Sequence, residues 1–584
     1  MLKRTILMIA AWTLAVAATS EATAQGFLKA DGKLIVNEKG EKVILRGMGL
    51  GGWMLQEGYM FKLANLGQQY KIKAKIQEVV GEEKTKQFYE SWLTNHTTKA
   101  DIDSMARWGF NSMRLPMHYN LYTLPVDEEK TPGQQTWLEK GFAMTDSLLA
   151  WCKANGIYLI LDLHAAPGGQ GNDLNIADRD PSKPSLWDSE ANRQKTIAFW
   201  KKIADRYVGE EMIAAYDIIN EPNWGFEDAT NDKNGLKESK NAPLKKLMMD
   251  ITKAIREVDK DHIVIIEGNG WGNNYKGILE DGLWDKNMVL SFHKYWNYND
   301  QKSIQHIIDY RDKLNVPVWL GETGENSNVW FTQAIALLES NNIGWAWWPL
   351  KKLGYNNPLQ VKSNPVYDSL VAFWNGKKAE PPNAEDAYPA LINLAKASNI
   401  SQNIYHRDVV DAMIRQPHSN SAVPFTPNVI GDTTTIDAVH FDLGKQGVAY
   451  YDKDTANYRV SGKPGAGNKG GVYRNDGVDI YQDSDGAYYI GSIEDGEWLS
   501  YTVDVQEPGK YEISFLVSGG RGKISMLVNK RVSGKDISIS SGIQGRRWKE
   551  VKGKTIKIPK GQCHLKIMAN KGGFEWKSFT FRKQ

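Results

Sequence analysis

Two carboxylates stand out by where they sit. Glu221 in Ile219-Asn220-Glu221-Pro222 and Glu322 in Trp319-Leu320-Gly321-Glu322 each close a short apolar, β-branched run, a pattern that puts both at the carboxyl ends of strands. Breaking a glycosidic bond with retention needs one carboxylic acid to protonate the leaving oxygen. It also needs an ionised carboxylate about 5 Å away to attack the anomeric carbon. Paired carboxylates on one strand-end rim suggest that chemistry. Other strand ends carry Arg114 in Met113-Arg114-Leu115, His164 in Leu161-Asp162-Leu163-His164, His293 and Tyr295 in Phe292-His293-Lys294-Tyr295, and Trp348. Glu325 competes with Glu322 on spacing alone but already belongs to the following loop, and Trp347 competes with Trp348.

The elements that must gather these groups are legible as eight apolar runs alternating with amphipathic stretches: 43–50, 110–115, 157–163, 215–220, 263–267, 288–293, 316–322 and 343–348. Strands alternating with helices give a parallel sheet, and eight such units predict a (β/α)8 barrel, whose chemistry sits at the carboxyl face. Ahead of the first run, Phe27 to Asn37 alternates around Asp31-Gly32 and predicts a small hairpin under the barrel floor. After the last, Ser363 to Trp374 predicts a closing helix, and Ala384 to Ala397 and Ser401 to Arg415 two more. Gln416 to Asn428 is polar, contains proline and suits a linker. From Asp432 short alternating strands with Gly, Asp and Asn turns predict an all-β sandwich of jelly-roll type.

The expected organisation is a signal peptide over 1–24, a catalytic barrel over 25–376, a helical extension and linker over 377–431, and a β-sandwich over 432–584. Lys3 and Arg4, an apolar stretch and Ala22-Thr23-Ala24 carry the signal reading, which implies a secreted or periplasmic enzyme. No later segment is long and apolar enough to suggest a membrane anchor. A net charge of +3 among 72 basic and 69 acidic residues argues against nucleic acid as a partner. With 2 cysteines, Cys152 and Cys563, neither a disulfide framework nor a cysteine-built metal site is expected. The chain is rich in Trp (21) and Tyr (25), whose rings pair an apolar face with a polar tip and suit sugars.

Taken together, the strand-end set resembles glycoside hydrolase family 5, over about Phe27 to Trp374. The resemblance implies that Glu221 is the acid/base, that Glu322 is the nucleophile and that Asn220 holds the sugar 2-hydroxyl. Arg114 and Tyr295 would hydrogen-bond the nucleophile and help keep it ionised. His164 would contact sugar hydroxyls, His293 would lie beside the acid/base, and Trp348 would form the stacking floor. Gly47-Met48-Gly49-Leu50-Gly51-Gly52-Trp53 through Glu57, with His164-Ala165-Ala166-Pro167-Gly168-Gly169-Gln170, are similar to the exo-β-1,3-glucanase branch, in which the residue matching Glu57 helps close a pocket. No catalytic cofactor or metal is implied. The same constellation also serves mannans, xyloglucan and small β-glucosides, and an inactive glycan-binding barrel is the non-enzymatic alternative.

The tail resembles a family 6 carbohydrate-binding module, on Gly447-Val448-Ala449-Tyr450-Tyr451-Asp452, Tyr473-Arg474-Asn475-Asp476-Gly477-Val478-Asp479 and Gly496-Glu497-Trp498. In that family a Tyr and a Trp sandwich a sugar. The matching positions are Tyr473 and Trp548, and Glu575 stands where the family often has Asn. The early motif that helps bind a structural calcium reads Ile436-Asp437-Ala438-Val439-His440; Val439 replaces an acidic ligand, so a structural calcium is left open. The implied partner is a polysaccharide, bound by a monomer whose tail tethers the barrel to it.

Overall fold

The computed structural model describes residues 26–454, 467–533, 536–540 and 548–584; the expected signal segment lies outside them. Eight parallel strands close a barrel. They are β1 (Arg46–Gly49), β2 (Ser112–His118), β3 (Tyr158–Ala165), β4 (Ile213–Asp217), β5 (Ile263–Glu267), β6 (Met288–Lys294), β7 (Val318–Gly324) and β8 (Gly344–Trp348). Each falls on one of the eight apolar runs, shifted by up to a few residues. The exception that matters is β4, which stops at Asp217, so Asn220 and Glu221 sit beyond the strand.

Two apolar layers hold the barrel. Inward side chains, among them Ile160, Ala215, Ile265, Val289, Trp319 and Ala346, fill its interior together with Leu28 and Ile35. Ile35 lies in the hairpin Lys29–Asp31 with Leu34–Val36 and Leu28 immediately precedes it, so the expected floor plug is present. Outward side chains such as Leu159, Leu161, Tyr216, Val264 and Leu290 pack beneath the helices in one continuous cluster. Parallel strands covered on both faces read as nearly uninterrupted apolar runs, which is why they were legible.

The closing helix is Pro365–Trp374 and the next is Ala384–Ala397, both as expected. The third is shorter than Ser401 to Arg415. It starts only at Arg407, because Ile404 and Tyr405 pair as a strand with Gln360 and Leu359 and Tyr405 stacks on Trp108 at 4.7 Å. The linker is pinned along its length: Arg415 donates to Ser421 O, Arg407 donates to Phe425 O, and Val423 bridges Leu443.

Beyond it, two β-sheets enclose a second core containing Tyr501, Phe515, Trp576, Phe579 and Phe581. One sheet centres on Trp498–Val505, Gly561–Lys571 and Gly522–Val528, the other on Tyr488–Ile490, Phe574–Lys583 and Gly509–Gly519. This is the all-β architecture the alternation predicts.

Candidate active site

Arg114, on β2, is fully buried and organises the floor of the site. Its Nη1 donates to Glu322 Oε1 at 2.5 Å and its Nε to Asp217 Oδ2 at 2.9 Å. Nη2 donates to Asn220 Oδ1 at 2.8 Å and lies 3.3 Å from Glu267 Oε1 and 3.2 Å from Asp162 Oδ1. Four carboxylates thus surround one guanidinium. Burial pushes Asp162 and Asp217 well above the ordinary carboxylate range despite the pull of Arg114.

Glu322 lies within β7, and its second oxygen accepts from the Tyr295 hydroxyl at 3.2 Å. Glu221 is reached differently. Its backbone turns into the left-handed region (φ 42°), a conformation held because its N–H donates to Glu267 Oε2 at 2.7 Å and its carbonyl accepts from Asn223 Nδ2 at 2.8 Å. That turn carries the carboxylate back over the barrel mouth: one oxygen each of Glu221 and Glu322, with a His293 nitrogen, lie within 4.8 Å of one another.

His293 Nδ1 sits 2.6 Å from Glu221 Oε1 and its Nε2 3.1 Å from Glu267 Oε1. Burial works against the imidazolium, but Glu267, Glu322 and Glu221 outweigh it and hold the ring's pKa well above the usual histidine value. With a carboxylate oxygen facing each ring nitrogen, the surroundings favour the imidazolium form. Burial raises the Glu221 carboxyl to about 7, with the His293 cation pulling the other way. Burial likewise raises Glu57 well above the carboxylate range, reinforced by Glu322, Glu325 and Glu221, which puts Glu57 in the same acidic pocket.

His164 has both nitrogens engaged within the protein, Nδ1 by Asp162 Oδ2 at 2.7 Å and Nε2 by the Asn220 amide at 3.3 Å. Burial lowers its pKa to about 3, so it is neutral, donates to Asp162 and accepts from Asn220. The Asn220 amide is thereby oriented from both ends. Gln170 ties the same two segments together, donating to His164 O at 2.7 Å and Asn220 O at 2.8 Å.

Trp348 stacks on His164, with ring centroids 5.0 Å apart and planes 8° from parallel, and its Nε1 donates to Tyr59 Oη at 2.9 Å. The glycine run has a steric reason: a Cβ on Gly49 or Gly51 would stand 2.5 or 2.6 Å from the Trp348 ring. Trp347 faces the core against Phe331 instead, and Glu325 pairs with Lys352 at 3.0 Å. Sequence reasoning did not assign Asp162, Asp217, Glu267 or Tyr59. The first three left a signal, a lone acid inside an apolar strand run; Tyr59 left none.

Residues 72–354 match the family described as cellulase (glycosyl hydrolase family 5), and 472–583 match carbohydrate binding module family 6. The barrel is a family 5 glycoside hydrolase. A β-xylosidase from Phanerodontia chrysosporium is 24% identical over 416 residues, covering 63% of this chain and 82% of its own. Endoglucanase C from Acetivibrio thermocellus is 23% identical over 49% of this chain and 92% of its own. A probable glucan 1,3-β-glucosidase A from Aspergillus clavatus is 25% identical, covering 44% of this chain and 57% of its own. Relatives of this family 5 hydrolase thus bear names for different linkages.

In the module the expected sugar-binding residues part company. Tyr473 packs on Tyr488 at 4.5 Å and its hydroxyl meets His440 Nε2 at 2.7 Å, while Phe425 covers it at 5.9 Å. Trp548 meets Tyr489 at 5.3 Å and donates to Asp483 Oδ2 at 2.6 Å. Tyr488 and Tyr489 are consecutive residues of one strand, so they point to opposite faces. Tyr473 and Trp548 are thus each held by a different side chain of that strand. Glu575, on the last strand, pairs across to Ser518. In the early acidic motif Asp437 is exposed, whereas Val439 is buried in the core.

Proposed function

We propose that the protein is a secreted, retaining β-glycosidase that hydrolyses β-linked glucose polymers by double displacement. The observation that carries this reading is that one oxygen of Glu221 and one of Glu322 lie within 4.8 Å, the close approach that favours direct attack by a carboxylate over a pair spread wide around a water. Glu322, gripped by Arg114 and Tyr295, attacks the anomeric carbon. Glu221 protonates the departing oxygen; His293 donates to its Oε1, which leaves Oε2 to carry the proton. Water, deprotonated by the same Glu221, then releases the glycosyl-enzyme. Asn220, oriented by Arg114 and His164, donates to or accepts from the sugar 2-hydroxyl, and Trp348 offers the apolar ring face.

Glucan is favoured over other β-linked sugars by the glycine-run and Glu57 segments, which give the pocket its wall of Glu57, Tyr59 and Trp348. Polysaccharide is the partner class that the module supports, and among the described residues no helix is long and apolar enough to cross a membrane. The chemistry needs no cofactor. Hydrolysis of laminarin, mixed-linkage glucan, a cellulose derivative, xyloglucan and mannan, with product sizing and NMR of the first-formed anomer, tests the reading. Retention with preference for a glucan is expected; inversion, or preference for mannan, overturns it.

A further inference from the structure

The module does not hang from the barrel. Its segment Arg474-Asn475-Asp476 is buried against the turn that leaves the nucleophile strand, Glu325-Asn326-Ser327, and the helix Asn328–Ser340 that follows. Asn475 Nδ2 donates to Asn326 O at 2.8 Å and to Asn328 Oδ1 at 3.1 Å. In the other direction, Asn328 N–H donates to Asn475 O at 3.0 Å. Asp408 Oδ2, from the helix Arg407–Ile414, accepts from both Asn475 N–H at 2.7 Å and Asn328 Nδ2 at 2.8 Å. Asn328 Nδ2 also reaches Asp476 Oδ1 at 3.1 Å, and Arg474 holds Asp476 Oδ2 at 2.7 Å.

This arrangement has a physical rationale on the barrel side. The first N–H groups of a helix have no partner within it. Ser327 satisfies the N–H of Trp330, but Asn328, the first helical residue, is satisfied from the module. The turn is also conformationally demanding, with Gly324 at φ 141° and Glu325 at φ 52°, and only Thr323 and Gly324 separate Glu322 from Glu325. Buried backbone groups left unpaired would be costly, so the turn keeps this shape only while something supplies the missing bonds.

We propose that the module is a brace for the catalytic centre, with Asn475 as a positioning residue that seats the turn behind the nucleophile and with it Glu325, which pairs with Lys352. This rests on the assignment of Glu322 as nucleophile. It makes a demand that tethering does not: damage to the module contact slows turnover of a substrate too small to touch the rest of the module. A shift of about 1 Å at a reacting group can cost on the order of 100-fold in rate.

The test uses the full chain with Asn475→Leu, which keeps the branching at Cγ and removes both bonds that the side chain donates, and Asp408→Asn as a milder variant. Val532→Ser, on an exposed part of the module, is the control. Steady-state kinetics on nitrophenyl β-glucoside, β-mannoside and β-xyloside are read beside Tm and hydrogen exchange across 325–331. The expected result for Asn475→Leu is kcat lower by about 10- to 100-fold per folded molecule, KM within about twofold, and faster exchange confined to that segment. Asp408→Asn should move the same way by less. Wild-type kcat in a variant with lowered Tm shows a merely structural contact and overturns the brace. If no aryl glycoside is turned over by the wild-type chain, the substrate reading fails, and exchange alone decides the brace: unchanged exchange at 325–331 rejects it.

Discussion

In the barrel, residues far apart in sequence meet: Arg114, Asn220, Glu322, His293, Glu221, His164 and Trp348 form one connected chain of contacts. In the module, Tyr473 and Trp548 pack on Tyr488 and Tyr489, consecutive residues of one strand whose side chains leave opposite faces. The difference lies in what fixes each residue. A closed parallel barrel forces every strand end onto one rim, so residue type and strand-end position suffice to predict convergence. A loop residue on a sandwich is positioned by whatever packs on it, and here Phe425 from the linker, with His440 and Tyr488, occupies that role for Tyr473.

The contrast is most exposed at the nucleophile. Glu322→Gln should lower kcat by at least about 10,000-fold, since loss of a covalent nucleophile leaves only binding and charge stabilisation. Stopped assays on laminarin and an aryl β-glucoside would show it. Glu221→Gln should lower turnover of glucan by about 100- to 10,000-fold, the usual worth of a general acid. With an activated aryl leaving group the loss should be far smaller, and equal losses on both substrates would contradict its role as acid.

The pH dependence follows from the burial of Glu221. Its carboxyl, raised to about 7, acts as an acid only while protonated, so activity on glucan should fall as pH rises through about 7. His293 lowers that value by its positive charge. His293→Ala should therefore move the basic limb of kcat/KM upward; a downward shift would show that the ring is not the cation described. The smallest effects belong to the module. Tyr473→Ala, which strips a ring from the packing with Phe425, His440 and Tyr488, should cost about 2 kcal/mol of stability, below the range for a fully buried ring, read as a lower Tm. Trp548→Ala should leave Tm within about 2 °C and weaken sedimentation with insoluble glucan. Reversal of the two outcomes would erase the distinction between the regions.

Much of this architecture could be read from the chain because parallel strands buried on both faces leave unbroken apolar runs, and Glu322 closes one of them. Glu221 was readable by type but not by position, since its φ of 42° and its bond to Glu267 carry it beyond the strand end. Asp162, Asp217 and Glu267 were visible as acids within apolar runs, yet their joint grip on Arg114 depends on barrel closure. Ser401 to Arg415 looked helical by composition, but pairing of Ile404 and Tyr405 with Gln360 and Leu359 overrode that local preference. The docking of Asn475 on Asn328 and Asp408 left no trace, because such residues at loops and helix starts are also what ordinary turns and caps require.

The most direct test is to trap the covalent intermediate. A 2-deoxy-2-fluoro-β-glucoside with a good leaving group should inactivate the enzyme, and peptide mass mapping should find one fluoroglucosyl label, on Glu322. A label on Glu325 or another residue, or turnover with inversion and no label, would contradict the double displacement assigned to Glu221 and Glu322.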